Sequence, residues 1–366
     1  MLPGQSGLDP GVDPRLARAA TLPSRCYTDP RWLEVELAHV FGRSWQLAGR
    51  RESAASPGQF HTTEIAGEPV LIVCGDDGQT RALSNVCRHR AGPVAAGEGS
   101  CRALRCGYHG WSYGLDGRLL ATPEFDGVED FRKEEQALPR FRLESWLGLD
   151  FVNLDPDASP LAETLEDLPE RLASRGLEAM RPAARKDWTV ECNWKVYVDN
   201  YLEGYHIPIV HPSLMKEIDY ARYATETRRS YSLQHSPIKE GSPGRLRRAE
   251  SGADNEALYF WIYPNLMVNV YPDNFSTNLI LPLGHGRTLT VFEWFFRDPG
   301  KPGVAEEIRR TVEFSDEIQL QDIAICESVQ KGLKSRTYDR GRYSVRRENG
   351  VHHFHTLLAQ AYGNGA

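Results

Sequence analysis

Four residues of metal-binding type fall in two short strings, Cys87-Arg88-His89 and Cys106-Gly107-Tyr108-His109, separated by the stretch from Arg90 to Arg105. Two thiolates and two imidazoles are the donor set of a [2Fe–2S] centre in which histidines replace cysteines on one iron and raise its potential. Cys87 and Cys106 would hold one iron, His89 and His109 the other. Pro93, Gly97 and Gly99 in the gap, with Gly107 and Gly110 beside the second pair, suit loop tips where backbone comes close to the sulfides. A zinc site is the competing reading of any Cys/His quartet. Zinc modules mostly pair C-x-x-C with a further C-x-x-C or H-x-H; the order Cys-His…Cys-His, followed by Arg90-Ala91-Gly92 and Gly110-Trp111, is more restrictive.

A second constellation is Asn193-Trp194-Lys195 followed by the run from Asp199 to Pro212, with histidines at His206 and His211. On an unbroken helix those two would point apart. Pro208 and Pro212 bias the residues before them away from helix, so a helix is expected to end near His206 and the chain to fold back, bringing both imidazoles to one metal. A 2-His-1-carboxylate triad needs one acid and leaves positions open for O2. Asp316, Glu317, Asp322 and Glu327 share one predicted helix. At about 100° per residue, Asp322 sits amid Ile318, Ile325, Cys326 and Val329. A carboxylate buried there is costly unless it is paired or binds a metal, which makes Asp322 the third ligand, a salt bridge to an arginine being the alternative. Asp316 and Glu327 lie off that stripe and read as solvated. Asp199, Glu203 and His206 are expected on one helix face. Glu203 is then placed to take a ring N–H of His206, unless it is merely a solvated acid. Asn200, in the same string, is a further catalytic candidate.

The elements that must carry these groups follow from periodicity. Residues 1–23 are rich in Gly, Pro and Ala and read as a loose arm; Asp29 to Val40 has helical spacing. From Trp45 to Leu154 the strings are short and alternating, with strands over Gln59–Ile65, Pro69–Val73 and Leu147–Leu154 and hairpin turns at Gly75–Gly78 and Leu115–Gly117. Asp155 to Pro160 reads as a linker. Beyond it, Leu161 to Leu177 is helical in composition, Trp188 to Asn193 a strand leading into a helix through His206, Tyr259 to Leu283 and Thr288 to Phe296 strands, and Val304 to Leu333 a helix. The expected domains are an arm and helix over 1–40 packing on the catalytic domain, a cluster domain over 41–155 and a catalytic domain over 156–366.

These motifs resemble the Rieske non-haem iron oxygenases in their catalytic α-subunit. Ser315 to Ile323, Cys326 to Leu333, Gly341-Arg342-Tyr343 and His352-His353-Phe354-His355 resemble choline monooxygenase and related oxygenases of quaternary ammonium compounds. The resemblance spans most of Trp45 to Leu358. It implies an α+β fold, an all-β Rieske [2Fe–2S] domain plus a helix-grip catalytic domain with a large antiparallel sheet. It also implies mononuclear Fe(II) on His206, His211 and Asp322, and Glu203 as an electron bridge between subunits of a head-to-tail homotrimer, at a position usually aspartate. The implied reaction uses O2 to hydroxylate or oxidatively demethylate a small quaternary ammonium substrate such as choline, glycine betaine or a carnitine-like compound. Electrons would come from NAD(P)H through a separate flavin/ferredoxin-type reductase, since no G-x-G-x-x-G fingerprint occurs in the chain. An aromatic-ring hydroxylase would share every ligand; a Rieske electron-transfer protein would need only the first half. Aromatic faces would hold a trimethylammonium group, and the chain from Tyr259 to Phe296 is rich in them, although strand aromatics also serve as core. His352, His353 and His355 read as structural.

Composition agrees. The 366 residues are 40% hydrophobic and 25% charged, ordinary for a globular protein of about two domains. A formal charge of −7 argues against nucleic acid or an anionic membrane as partner. No apolar run is long enough to span a bilayer, and Met1 to Ser6 does not open a signal peptide, so a cytoplasmic setting is expected. Cys26, Cys74, Cys101, Cys192 and Cys326 show no disulfide framework and read as reduced thiols, Cys101 as a buried structural one.

Overall fold

The computed structural model describes residues 9–247 and 255–363; residues 1–8 of the expected arm lie outside them. The chain divides into two compact units, Phe41–Leu161, and the chain up to Val40 together with the chain from Ala162.

The Phe41–Leu161 unit is all-β. Its strands are β1 (Gln46–Arg50), β2 (Gln59–Ile65), β3 (Glu68–Cys74), β4 (Thr80–Ser84), β5 (Glu98–Ser100), β6 (Leu104–Arg105), β7 (Ser112–Tyr113), β8 (Leu119–Ala121), β9 (Arg140–Trp146) and β10 (Leu149–Asn153). Seven of them form one sheet, β1-β10-β9-β4-β3-β2-β5, and β6-β7-β8 form a second. The run Val70–Cys74 is wholly buried, as a strand covered on both faces must be. The expected last strand exists as β10, but it is the second arm of a hairpin. Leu147 and Gly148 supply the two positive φ values, 52° and 72°, of a two-residue turn back to β9. Asp155–Pro160, read as a linker, is tied into this unit: Trp45 Nε1 donates to the Ser159 carbonyl at 3.0 Å and Arg142 to that of Ala158.

The other unit is built on a seven-stranded antiparallel sheet. In chain order its strands are β11 (Arg181–Val190), β12 (Ala224–Thr227), β13 (Tyr231–Pro237), β14 (Glu256–Ile262), β15 (Leu266–Val270), β16 (Asn274–Gly284) and β17 (Arg287–Phe296); in space they run β11-β17-β16-β15-β14-β13-β12. Its helices include α1 (Arg31–His39), α2 (Trp194–Tyr201), α3 (Ile207–Val210), α4 (Pro212–Glu217), α5 (Val304–Leu333) and α6 (Asn349–Gly363). Long helix α5 lies against α2 and β11, and α2 against β16, the helix-grip arrangement. The helix expected over Leu161–Leu177 breaks into Leu161–Leu165 and Leu168–Leu172, with Glu166 between them at φ 52°.

A fully buried ion pair ties α1, α2 and α6 together. Lys195 Nζ and Glu36 Oε1 lie 2.6 Å apart, both side chains 0% exposed. Glu36 also accepts from Trp194 Nε1 and Tyr362 Oη, each at 2.7 Å, so three donors share its two oxygens.

Of the apolar stripe assigned to α5, only Cys326 is buried. Ile325 and Val329 are 39% and 45% exposed, whereas Phe314, Gln319, Cys326, Gln330 and Leu333 are buried. Two glutamines replace the expected aliphatics because they have partners: Gln319 bonds Tyr197 Oη and Thr290 Oγ1, and Gln330 takes the backbone N–H of Asn193. Asp316, expected in solvent, pairs with Lys186 of β11, and Glu327 accepts the backbone N–H of Glu191 at 3.1 Å.

Candidate active site

Asn193 caps α2, its Oδ1 accepting the backbone N–H of Lys195 at 3.0 Å. The helix stops at Tyr201 and does not reach His206. Asp199, Glu203 and His206 therefore do not share a helix face. Glu203 instead folds over the start of α3, accepting the backbone N–H groups of Tyr205 and of His206, the latter at 3.1 Å. Pro208 and Pro212 sit in the first turns of α3 and α4, where a missing N–H costs nothing, so they open helices rather than end one. Gly204 is required here: a Cβ would stand 2.5 Å from the Tyr223 ring.

His206 and His211 thus flank a single helical turn, and the structure brings both to Asp322. His206 Nδ1 meets Glu203 Oε1 at 2.5 Å, and His211 Nδ1 meets Gln321 Oε1 at 2.7 Å. Anchoring each Nδ1–H leaves each Nε2 lone pair facing inward. The two Nε2 atoms lie 3.8 and 3.0 Å from Asp322 Oδ1. One donor atom from each of the three residues falls within 4.8 Å of the others. Asn200 Nδ2 donates to Asp322 Oδ1 at 2.7 Å and fixes the carboxylate's orientation. Burial works against the His206 imidazolium, but the Glu203 hydrogen bond and charge outweigh it and the pKa is raised. Two neutral-nitrogen donors, one carboxylate and an open side fit Fe(II) of the facial-triad type.

The open side is a cavity of about 140 Å³. Of the expected aromatics, Tyr259, Tyr271, Phe292 and Trp294 line it, joined by Tyr197, Tyr201, Tyr223 and Phe314 from outside that stretch. Phe260, Trp261, Phe275, Phe295 and Phe296 are core, Phe275 stacking on Phe295 at 4.4 Å. Two of the cavity tyrosines are pinned: Tyr201 Oη donates to Asn269 Oδ1 at 2.9 Å and Tyr223 Oη to Gln234 Oε1 at 3.0 Å. Burial pushes their phenols up, that of Tyr271 to about 12, so they stay neutral.

His206 and Glu203 also face a second, separate groove that holds Asp199, Ile325, Val329, Glu348 and His355. Glu203, 12% exposed and bonded to His206, is not a solvated acid. Asp199 accepts from Tyr27 Oη at 2.7 Å and lies 2.8 Å from His355 Nε2, whose Nδ1 meets Tyr343 Oη at 2.5 Å. His352 Nε2 reaches the Asp13 carbonyl at 2.8 Å. These histidines fasten α6 in place, while the Nε2 of His353 is buried without a partner among the described residues.

In the all-β unit the two ligand strings form matching knuckles. The backbone N–H of Cys87 bonds the Gly92 carbonyl and that of Ala91 the Cys87 carbonyl; Cys106 with Trp111, and Gly110 with Cys106, repeat the scheme. Ala91 and Gly110, the equivalent positions, have φ of 57° and 75°. Cys87 and Cys106 are buried, and the rings of His89 and His109 sit 4.6 Å apart, His89 stacked on Trp111 at 4.9 Å. A Cβ on Gly92 would come within 3.1 Å of Cys106 Sγ. Tyr113 Oη lies 3.2 Å from Cys87 Sγ. Buried thiols facing outer imidazoles across two backbone loops fit a Rieske cluster. Cys101, expected to be buried, is only half-buried at the edge of this core.

Comparison with known proteins agrees with both halves. The model of the ring hydroxylating alpha subunit (catalytic domain) matches residues 177–364 and that of the Rieske [2Fe-2S] domain matches 44–132. The chain is 36% identical over 364 residues to the chloroplastic choline monooxygenase of Arabidopsis thaliana, covering 94% of this chain and 84% of that protein. It is 33% identical over 358 residues to the carnitine monooxygenase oxygenase subunit of Escherichia coli K12, covering 94% of each. A solved quaternary ammonium Rieske monooxygenase, described in connection with carnitine oxidation by gut microbiota and inter-subunit electron transfer, superposes with a TM-score of 0.85 at 29% identity, covering 95% of this chain and 97% of that one.

Proposed function

The chain belongs to the ring-hydroxylating α-subunit family and is a Rieske non-haem iron monooxygenase; on that premise we propose that its substrate is a small quaternary ammonium compound of the choline, glycine betaine or carnitine type. The observation that carries this reading is the convergence of His206 Nε2, His211 Nε2 and Asp322 Oδ1 at one side of a cavity walled by Tyr201, Tyr223, Tyr259, Tyr271 and Trp294. A trimethylammonium group has no hydrogen to donate, so neutral aromatic faces are what can hold it.

Cys87, His89, Cys106 and His109 would hold the cluster, and His206, His211 and Asp322 the iron; together they supply electrons and O2 activation. The protein's own residues do the rest. Glu203 and Gln321 keep the two imidazoles in the Nε2-facing tautomer, Asn200 keeps Asp322 turned toward them, and the aromatic walls seat substrate and exclude water. Glu203 is also our candidate for the bridge between subunits of a head-to-tail homotrimer. Support comes from its place in a surface groove flanked by exposed Ile325 and Val329, where apolar side chains bare to water mark an interaction face. The enzyme would work in the cytoplasm with a separate NAD(P)H reductase of flavin/ferredoxin type; no helix among the described residues is long and apolar enough to cross a membrane. The test is to supply reductase, NADH and a panel of quaternary amines and arenes, then assay formaldehyde, aldehyde and diol. Amine oxidation is expected; a diol from an arene with no amine turnover would overturn the reading.

A further inference from the structure

The cavity is lined by charged side chains as well as aromatic ones. Arg245 and Arg247 are the cationic side chains among its described lining residues, apart from the two histidine ligands. Neither is free. Arg245 Nη1 donates to Glu317 at 3.0 Å, with its guanidinium 5.4 Å from the Phe314 ring centroid. Arg247 lies 2.6 Å from Glu307 and 3.4 Å from Asp273. Among the described residues, two guanidiniums therefore face three carboxylates.

Beside them sits an acceptor that lacks a donor. Asn274 Nδ2 donates to Asp273 Oδ1 at 2.7 Å, which fixes the amide's orientation. Its Oδ1, on a side chain of a residue 4% exposed that lines the cavity, is buried without a hydrogen-bond partner among the described residues. A buried acceptor left bare is costly, and a ligand that donates to it recovers the loss.

We propose that Asn274, oriented by Asp273, is a specificity-determining residue that accepts a hydrogen bond from the hydroxyl of a quaternary amino alcohol, and that a quaternary amine ending in a carboxylate is disfavoured. A carboxylate cannot donate to Asn274 Oδ1, and taking an arginine would strand Glu317, or Glu307 and Asp273, without its partner. The proposal rests on the quaternary ammonium reading above and narrows it.

Calorimetric titration of the oxidised holoenzyme with choline, glycine betaine and tetramethylammonium tests it. Choline is expected to bind about five- to tenfold more tightly than tetramethylammonium, a margin of one neutral hydrogen bond, and glycine betaine more weakly than both. Asn274→Ala should bring choline down to the tetramethylammonium level and leave tetramethylammonium unchanged. Betaine binding as tightly as choline, or Asn274→Ala weakening choline and tetramethylammonium equally, would overturn the assignment while sparing the quaternary ammonium reading. Failure of tetramethylammonium to bind at all, with an arene binding in its place, would remove both.

Discussion

Gln321 is the residue on which the metal site's geometry can be tested most directly. It touches no metal-facing atom; its Oε1 takes the Nδ1–H of buried His211 at 2.7 Å. Gln321→Leu removes the acceptor and keeps the volume, so a buried N–H is left unpaired at a cost of about 1–3 kcal/mol. The ring can recover that loss by flipping its tautomer or rotating toward another acceptor, and either move takes Nε2 off the metal. The whole cost therefore falls on metal binding, which at about 1.4 kcal/mol per decade is roughly a 5- to 150-fold loss of iron affinity, in line with the 10- to 100-fold effect of such second partners elsewhere. Gln321→Glu, which keeps an acceptor, should hold iron nearly as well as the parent. Mononuclear iron retained against a graded chelator series measures this, and the visible spectrum of the cluster, whose ligands lie in the other unit, serves as internal control. Iron affinity for Gln321→Leu within threefold of the parent would show that the His211 tautomer is not set by Gln321.

Asp322→Ala should empty the mononuclear site and leave the cluster spectrum intact; retained iron at full stoichiometry would move the third ligand elsewhere. Glu203→Gln should preserve the cluster and the oligomer but slow single-turnover oxidation of the pre-reduced cluster at least about tenfold, and an unaltered rate would remove Glu203 from the electron route. Breaking the buried Glu36–Lys195 pair by Lys195→Met should cost about 3–5 kcal/mol in denaturant unfolding, with Glu36→Gln added to it restoring much of the loss; a double variant no more stable than the single one would contradict the pairing argument. His109→Cys should lower the cluster's reduction potential, as thiolate replaces imidazole on the outer iron, and a redox titration showing no shift would argue against His109 as a ligand.

Sequence-local features were legible and through-space ones were not. Helix Val304–Leu333 and strand Gln59–Ile65 were readable to the residue, because a long helix-forming composition and a short run of β-favouring Phe, Thr and Ile are written in the local order. The two Cys/His strings stood out because chemistry constrains such spacing, and both fold into matching backbone loops. The contact of Glu203 with His206 was anticipated for a reason that does not hold: α2 ends at Tyr201, and the contact arises from the cap over α3. Asp322 was picked from a stripe whose Ile325 and Val329 are exposed; the buried face carries Gln319 and Gln330, whose amides reach distant partners. Gln321, Asn274 and Tyr223 left no signal, since an amide or phenol becomes functional only through contacts set by the tertiary fold.

The site around His206, His211 and Asp322 is held by hydrogen bonds with Glu203, Gln321 and Asn200, each made between protein groups. A face positioned by the protein's own hydrogen bonds offers the same three donors to any divalent ion. On the stability order for such nitrogen and oxygen donors, iron(II) is bound more weakly than cobalt, nickel, copper or zinc. Nothing in a rigid two-imidazole, one-carboxylate face reverses that ranking. Correct metallation would therefore depend on the supply of free ions where the protein folds, and a redox-inert ion such as zinc at this face would leave the fold in place without O2 activation.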